Sequence, residues 1–156
     1  MAKITVKLPD ELIRKMDSLG KETDRIVKAS LEAAGEPVKH EMLSKYDAVV
    51  GRPHIVRGLN GRLYNYGVRS TGGLRRSIGI SPARINRKGE YDIKIGFAGN
   101  VPNGKITYGR LAGIIERGCK KRGQPPRPFI KPAERASKQA SIDAFQKKFD
   151  EEVKKL

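Results

Sequence analysis

Few residues of the chain could bind a metal ion or act in catalysis, and their spacing suits neither role. Cys119 and the histidines His40 and His54 are the soft metal-ligand candidates of the chain, and they form no CxxC or HxxxH pattern. Lys120 and Lys121 follow Cys119 and would favour its thiolate, but neither histidine sits in a motif that would supply a general base. The pattern therefore predicts neither a metal site nor a nucleophilic catalyst.

Carboxylates that could work in pairs are also scarce. The acids of residues 48–138 are Glu90, Asp92, Glu116 and Glu134. Magnesium-dependent hydrolysis needs two or more converging carboxylates, and this spacing does not bring them together. For Glu116 we expect a structural contact instead, either as a helix cap or in a pair with Arg117 or Arg127. We expect no enzyme activity and no cofactor.

The positive charge is concentrated in the middle of the chain. The formal net charge is +16, and residues 48–138 hold twenty Lys/Arg against four Asp/Glu, while both flanking segments are balanced. Such a region attracts phosphate or an acidic protein surface. It is equally compatible with a solvated face that an acidic neighbour compensates in a complex.

A nucleic-acid contact is the alternative function that this charge indicates. Tyr64 and Tyr66 lie among arginines in the acid-free segment, and aromatic rings beside cations can hold single strands. No signature of a sequence-specific reader accompanies them. The candidate contacts to a partner or to DNA are Arg57, Arg62, Arg69, Arg75, Arg76, Lys120, Lys121 and Arg122.

The first third of the chain predicts one strand and two helices. Alternating apolar residues indicate a strand over 3–8, and a helix follows from Pro9 to Gly20. A second helix starts near Thr23, and Gly35 with Pro37 predicts either a kink or two helices that meet there. Its apolar face is formed by Val27, Leu31, Ala34, Val38, Met42 and Tyr46.

The middle of the chain predicts a basic loop and short strands. Residues 51–70 read as a long loop with a hairpin at Asn60-Gly61. Thr71 caps a turn of helix in which Leu74 points inward, and a strand follows. A strand with Ile78 and Ile80 and a second strand with Tyr91, Ile93, Ile95 and Phe97 on one face are expected, joined by a hairpin at 87–90. A short strand with Ile106 and Tyr108 and helical turns over 111–116 should follow.

The last segment predicts a long helix after a stiff connection. Pro125 and Pro128 have the spacing of a polyproline ligand, but we favour a rigid connection that Phe129 and Ile130 anchor to the core. Pro132 suits the first helical turn. Two adjacent stripes follow: Ala133, Ala136, Ala140 and Ala144, and then Ile142, Phe145, Phe149, Val153 and Leu156.

The order of three segments resembles a known family. "TGGLRRSI", "YGRLAGIIERG" and "PPRPFIKPAERA" are similar in order to the minor tail family named after gene product ten of phage Hong Kong ninety-seven. The insertion at about 51–70 departs from the family pattern. The matching positions are Thr71, Gly72, Leu74, Arg75, Ser77, Ile78, Tyr108, Ala112, Glu116, Gly118, Pro128, Phe129, Pro132 and Ala133.

The resemblance implies a structural virion protein with an α+β fold. The fold would be one domain over 1–156, with a small, mainly antiparallel sheet packed against long helices and a C-terminal helix at about 132–155. The protein would complete the tail or join it to the head at the neck, as one subunit of a homo-oligomeric ring.

The same resemblance implies the surroundings of the protein. Its partners would be head-closure, tail-terminator or tail-tube proteins, with non-specific contact to DNA in the channel. It would be made in the bacterial host cytoplasm, and the source would be a free phage or a prophage. No apolar run approaches the roughly 20 residues that a membrane helix needs, so we expect no membrane association.

Overall fold

The fold combines long helices with small antiparallel sheets. The computed structural model describes residues 22–50, 55–57, 61–65, 72–102 and 104–155. Within these ranges, four α-helices and three two-stranded antiparallel sheets confirm the α+β class. The strand and helix predicted before Gly20 lie outside the described residues.

Helix α1 (Thr23–Val50) supplies one side of the core. All six residues of its predicted apolar face are buried. The helix runs through Pro37 as one element, so the prediction of two helices is wrong. Gly35 serves packing instead of ending the helix: a Cβ there would lie 3.0 Å from Ile80 Cδ1 and 3.2 Å from Ile93 Cδ1. The missing side chain lets α1 approach the strands closely.

The predicted hairpin in the basic loop is present. Strands β1 (Ile55–Arg57) and β2 (Leu63–Asn65) pair antiparallel, with Val56 opposite Tyr64. Gly61, in the connection, has a φ of 76°, which glycine adopts without strain. The rest of residues 51–70, apart from Arg62, lies outside the described residues.

The next elements follow the predicted order. Helix α2 (Gly73–Arg76) leads into β3 (Ile78–Ile80), and Leu74 and Ile78 are buried. Gly72 occupies the N-cap of α2 with a φ of 72°, and Thr71, the predicted cap, lies outside the described residues.

The prediction of one strand over 91–97 is wrong, because two strands form. The short strands β4 (Arg84–Ile85) and β5 (Tyr91–Asp92) pair with each other, and β6 (Ile95–Phe97) pairs with β3. The predicted turn joins β4 to β5, with Gly89 at a φ of 79°.

An extra residue separates the two pairings. Residues 81–83 lie opposite residues 93–94, which shifts the register by one position, as in a β-bulge. Pro82 has no N–H for the ladder, and the Ser81 hydroxyl accepts the Lys94 N–H at 2.9 Å. The four residues predicted to share a face still turn towards the core, although β5 and β6 are separate strands. Ile93 and Ile95 are buried, and Tyr91 and Phe97 pack against the core.

The short strand predicted at Ile106 and Tyr108 is reduced to one antiparallel bridge between Thr107 and Asn100, and helix α3 (Tyr108–Arg117) begins at the next residue. The Thr107 hydroxyl accepts the Arg110 N–H at 3.1 Å and starts the helix. The helix is therefore longer than the helical turns predicted over 111–116.

Helix α4 (Ile130–Val153) packs along α1 and completes the core. The two predicted stripes are buried only in part: Ala133 is buried, but Ala136, Ala140 and Ile142 are exposed. The buried line passes through Ser137 and Ser141 instead, and continues to the predicted phenylalanines.

These buried serines are satisfied by backbone carbonyls. Ser137 donates to Ala133 O at 2.8 Å within its own helix, while Ser141 donates to Ala34 O of α1 at 2.7 Å. A hydrogen bond within the protein offsets the desolvation penalty of a buried hydroxyl. Small polar residues can therefore line this helix pair.

Candidate functional site

The turn between α3 and α4, residues 116–129, is called the elbow below, and Glu116 holds it closed. The Glu116 carboxylate accepts the backbone N–H groups of Phe129 and Ile130 through Oε2, at 2.7 and 2.8 Å. Its Oε1 accepts the N–H of Lys131 at 3.2 Å. A carboxylate at a helix N-terminus also meets the positive end of the helix dipole. One side chain of α3 therefore caps α4.

This cap completes the hydrogen bonding of the first turn of α4. The first N–H groups of a helix have no partner within it. The phenyl ring of Phe129, at the N-cap position, cannot accept a hydrogen bond. Glu116 takes the first three donors, Pro132 has none, and Ala133 N–H already bonds Phe129 O at 3.1 Å. Of the contacts predicted for Glu116, the cap is present.

Gly118 allows the chain to leave α3 and double back. It has a φ of 74°, and a Cβ there would lie 2.6 Å from Gln124 O and 2.7 Å from Pro126 N. The returning segment is fixed next to it, because Arg127 N–H bonds Ile115 O at 2.8 Å. A larger residue at position 118 would have to displace backbone, so only glycine fits.

The end of the elbow enters the core as predicted. Phe129 is 0% exposed, and its ring makes edge contacts with Tyr46 at 5.5 Å and with Phe97 at 6.1 Å between ring centroids. Three elements, α1, β6 and α4, therefore meet on one aromatic ring. Pro128 itself is exposed.

The first motif segment joins the same region through Tyr108. A Cβ on Gly73 would overlap the Tyr108 hydroxyl, so the Tyr108 side chain of α3 packs directly against the backbone of α2. Ser77, also from this segment, donates to Leu74 O at 2.7 Å and ends α2. The first motif segment thus contacts the second through Gly73 and Tyr108, and the second contacts the third through Glu116 and Phe129.

A comparison with known families identifies the family of the chain. Residues 10–118 match the model of the HK97-gp10_like family, described under Bacteriophage HK97-gp10 as a candidate tail component. The chain belongs to this family. Comparisons with curated proteins and with solved structures gave no match. The family match includes Glu116 and Gly118, while α4 lies beyond it.

The predicted cationic contacts of this HK97-gp10_like protein are dispersed. Arg75 forms a two-point ion pair with Asp47, with its Nε 2.8 Å from Oδ1. Lys120 and Lys121 are exposed at the elbow, in a turn closed by two backbone hydrogen bonds between Cys119 and Gln124. Of the other candidates, Arg62 and Arg76 are exposed. Arg69 and the side chains of Arg57 and Arg122 lie outside the described part of the chain.

Sequence reasoning missed a groove between the two long helices. It has a volume of about 450 Å³. Its wall is formed by Glu36, Pro37, His40, Glu41, Ala136, Ser137 and Ala140. The exposed alanines of α4 were the available signal, since small apolar residues on an outer helix face leave a depression.

The described residues contain no group of three or more His, Cys, Asp or Glu side chains that could hold a metal ion. Nor does any described helix have the length and hydropathy to cross a membrane. That the protein has no cofactor and no enzyme activity remains a prediction.

Proposed function

We propose that this phage tail component completes the tail, or joins it to the head at the neck, as one subunit of an oligomeric ring. Family membership supports a place in the virion and a structural role. The ring, the neck and the absence of catalysis are the parts that we add.

The use of the motif residues carries the proposal. Each of three motif residues has a structural role. Glu116 caps α4, Gly118 allows the chain to reverse direction, and Tyr108 packs against α2. They form a rigid frame instead of lining a cleft with converging catalytic groups. A protein whose distinctive residues build a frame is suited to present surfaces to neighbours, as an assembly subunit does.

The outer surface offers charge to those neighbours. Lys120 and Lys121 are exposed at the elbow, and Arg110 and Arg117 are exposed seven residues apart, on one side of α3. These cations suit an acidic face of a head-closure, tail-terminator or tail-tube protein, or phosphates of DNA in the channel.

Deletion of the gene in its phage tests the proposal. We expect heads and tails that fail to join, or tails that stay unfinished, in electron micrographs of the lysate. A plasmid copy of the gene should restore joined particles. Infectious particles of normal appearance from the deletion strain would contradict the proposal.

DNA binding by the same cations is the second candidate function. The excess charge of residues 48–138 and the exposed Lys120 and Lys121 favour it. It predicts retention on double-stranded DNA that weakens steeply as salt rises, and that Lys120→Glu with Lys121→Glu reduces. If this double variant and a control variant, Lys147→Glu at an exposed helix position, elute at the same salt, Lys120 and Lys121 do not form a DNA site.

A further inference from the structure

The groove between α1 and α4 has the chemistry of a docking site. Pro37, Ala136 and Ala140 give it apolar walls, and Glu36 and Glu41 stand at its rim. No lysine or arginine is among the described residues that line it. Its occupant should therefore be an apolar side chain with cations beside it.

The rim carboxylates are available to an incoming cation. Glu36 and Glu41 lie 3.5 and 3.6 Å from the amines of Lys39 and Lys45, within the same helix. Such exposed pairs are worth little and exchange easily. The Glu36 side chain is 66% exposed, so a partner can reach it.

The hairpin formed by β4 and β5 carries a matching side chain. Ile85 is 51% exposed, although isoleucine is usually buried. Arg87 and Lys88, in the turn that follows Ile85, are exposed. Of the acids of the hairpin, Glu90 accepts from Asn86, and Asp92 lies opposite Arg84 in the strand pair, on the other face from Ile85. The face around Ile85 is therefore apolar with a cationic border.

The hairpin and the groove lie on different sides of α1. Asp24 accepts from Tyr91 of the hairpin, Glu32 accepts the Ala83 N–H at 3.3 Å, and Gly35 faces the strands. Pro37 and His40 line the groove. With about 3.6 residues per turn, these two sets point to largely opposite sides of the helix. A molecule with complementary features on opposite sides can bind copies of itself head to tail, and such contacts form a ring when the rotation between subunits closes.

We propose that the groove of one subunit receives Ile85 of a second copy of this chain, with Arg87 and Lys88 of that copy beside Glu36 and Glu41. This inference rests on the proposed ring and names its subunit contact. The apolar side chain supplies the buried anchor, and the charge pairs set the direction of assembly.

Cysteine cross-linking in particles tests the contact. In a Cys119→Ser background, Ile85→Cys combined with Ala140→Cys should give disulfide-linked dimers, trimers and larger species when a phage lacking the gene is complemented. Each single cysteine alone should give no species larger than a dimer. The matched control is Leu63→Cys with Ala140→Cys, because Leu63 is also exposed but lies in the other hairpin. This control should give no ladder.

Charge exchange provides an independent test. Glu36→Arg with Glu41→Arg, and Arg87→Glu with Lys88→Glu, should each lower the plaque count, and the four changes together should restore it. Thermal unfolding of each purified variant separates a folding defect from a lost contact, and a fourfold variant that folds but does not recover overturns the proposal.

Cross-linking distinguishes a failure of the groove contact from a failure of the proposed function. If a general amine cross-linker produces multimers in particles while the Ile85 and Ala140 cysteines stay unlinked, the groove contact is wrong and the ring stands. If the chain is absent from particles, or remains monomeric there with every cross-linker, the proposed function itself is wrong.

Discussion

Glu116 and Phe129 are thirteen positions apart, yet the carboxylate of the first accepts the backbone N–H of the second at 2.7 Å. This bond joins the last turn of α3 to the first turn of α4, and Glu116 also takes the next two N–H groups. The start of the longest contact surface of the fold, between α1 and α4, therefore depends on a side chain from another helix.

Removal of this cap should destabilise the protein clearly. Loss of a capping side chain costs about 0.5–2 kcal/mol, so Glu116→Ala should reduce the free energy of unfolding by about 2 kcal/mol, since three donors lose their partner. Glu116→Gln keeps one acceptor oxygen and should lose less. The matched control is Glu134→Ala, an exposed glutamate of α4, which should change stability by less than about 0.5 kcal/mol. Equal losses for Glu116→Ala and Glu134→Ala in urea titrations would contradict the cap.

Two glycines of the elbow should respond differently to alanine. Both have a positive φ, 74° at Gly118 and 60° at Gly123, but a Cβ has free space only at Gly123. Gly123→Ala should cost about 1 kcal/mol for the left-handed backbone, and Gly118→Ala should cost more than about 2 kcal/mol, because backbone atoms must move. Chemical denaturation of both variants measures the difference, and similar losses would show that the close contact at Gly118 is unimportant.

The contact between Gly73 and Tyr108 should behave as a coupled pair. Gly73→Ala inserts a methyl group 2.4 Å from the Tyr108 hydroxyl oxygen and should destabilise the fold by about 1–3 kcal/mol. Tyr108→Phe removes that oxygen, so the double variant should recover part of the loss. A double-mutant cycle measures the coupling, and strictly additive effects would mean that the two residues do not meet.

The pH dependence of stability should contain a contribution from Glu152. Hydrogen bonds from Lys155 and Lys148 lower the pKa of this carboxyl from 4.5 to about 2. Because the folded pKa is lower than the unfolded one, the stabilisation is present above pH 4.5 and is lost as the pH falls to about 2. Glu152→Gln should therefore be less stable than the wild type at pH 7, and the gap should narrow on acidification. Melting temperatures measured from pH 7 to pH 2 check this, and a constant gap would contradict it.

The apolar pattern made the long elements predictable. The spacing of Val27 through Tyr46 identified the buried face of α1, and Pro132 with the apolar residues after it identified α4. Asn60-Gly61 and Gly89 marked the two hairpins through their turn chemistry. Local spacing and turn residues carry this information because neither depends on distant contacts.

What the sequence did not reveal depends on contacts between distant segments. Pro37 breaks no helix, since packing of the surrounding turns against the core outweighs one lost hydrogen bond. The apolar stripes of α4 do not include Ser141, which is buried because a carbonyl of α1 accepts its hydrogen bond. The strand break at Pro82 and the groove beside Ala140 follow from the same kind of tertiary detail.

The central claim is that this tail component works as a ring subunit at the junction of head and tail. Localisation of the protein in purified particles of its phage, by electron microscopy with an antibody or a small fused tag, tests that claim most directly. The account predicts label confined to the head–tail junction, at several copies per particle. Label along the tail tube, label on the capsid, or particles without the protein would contradict it.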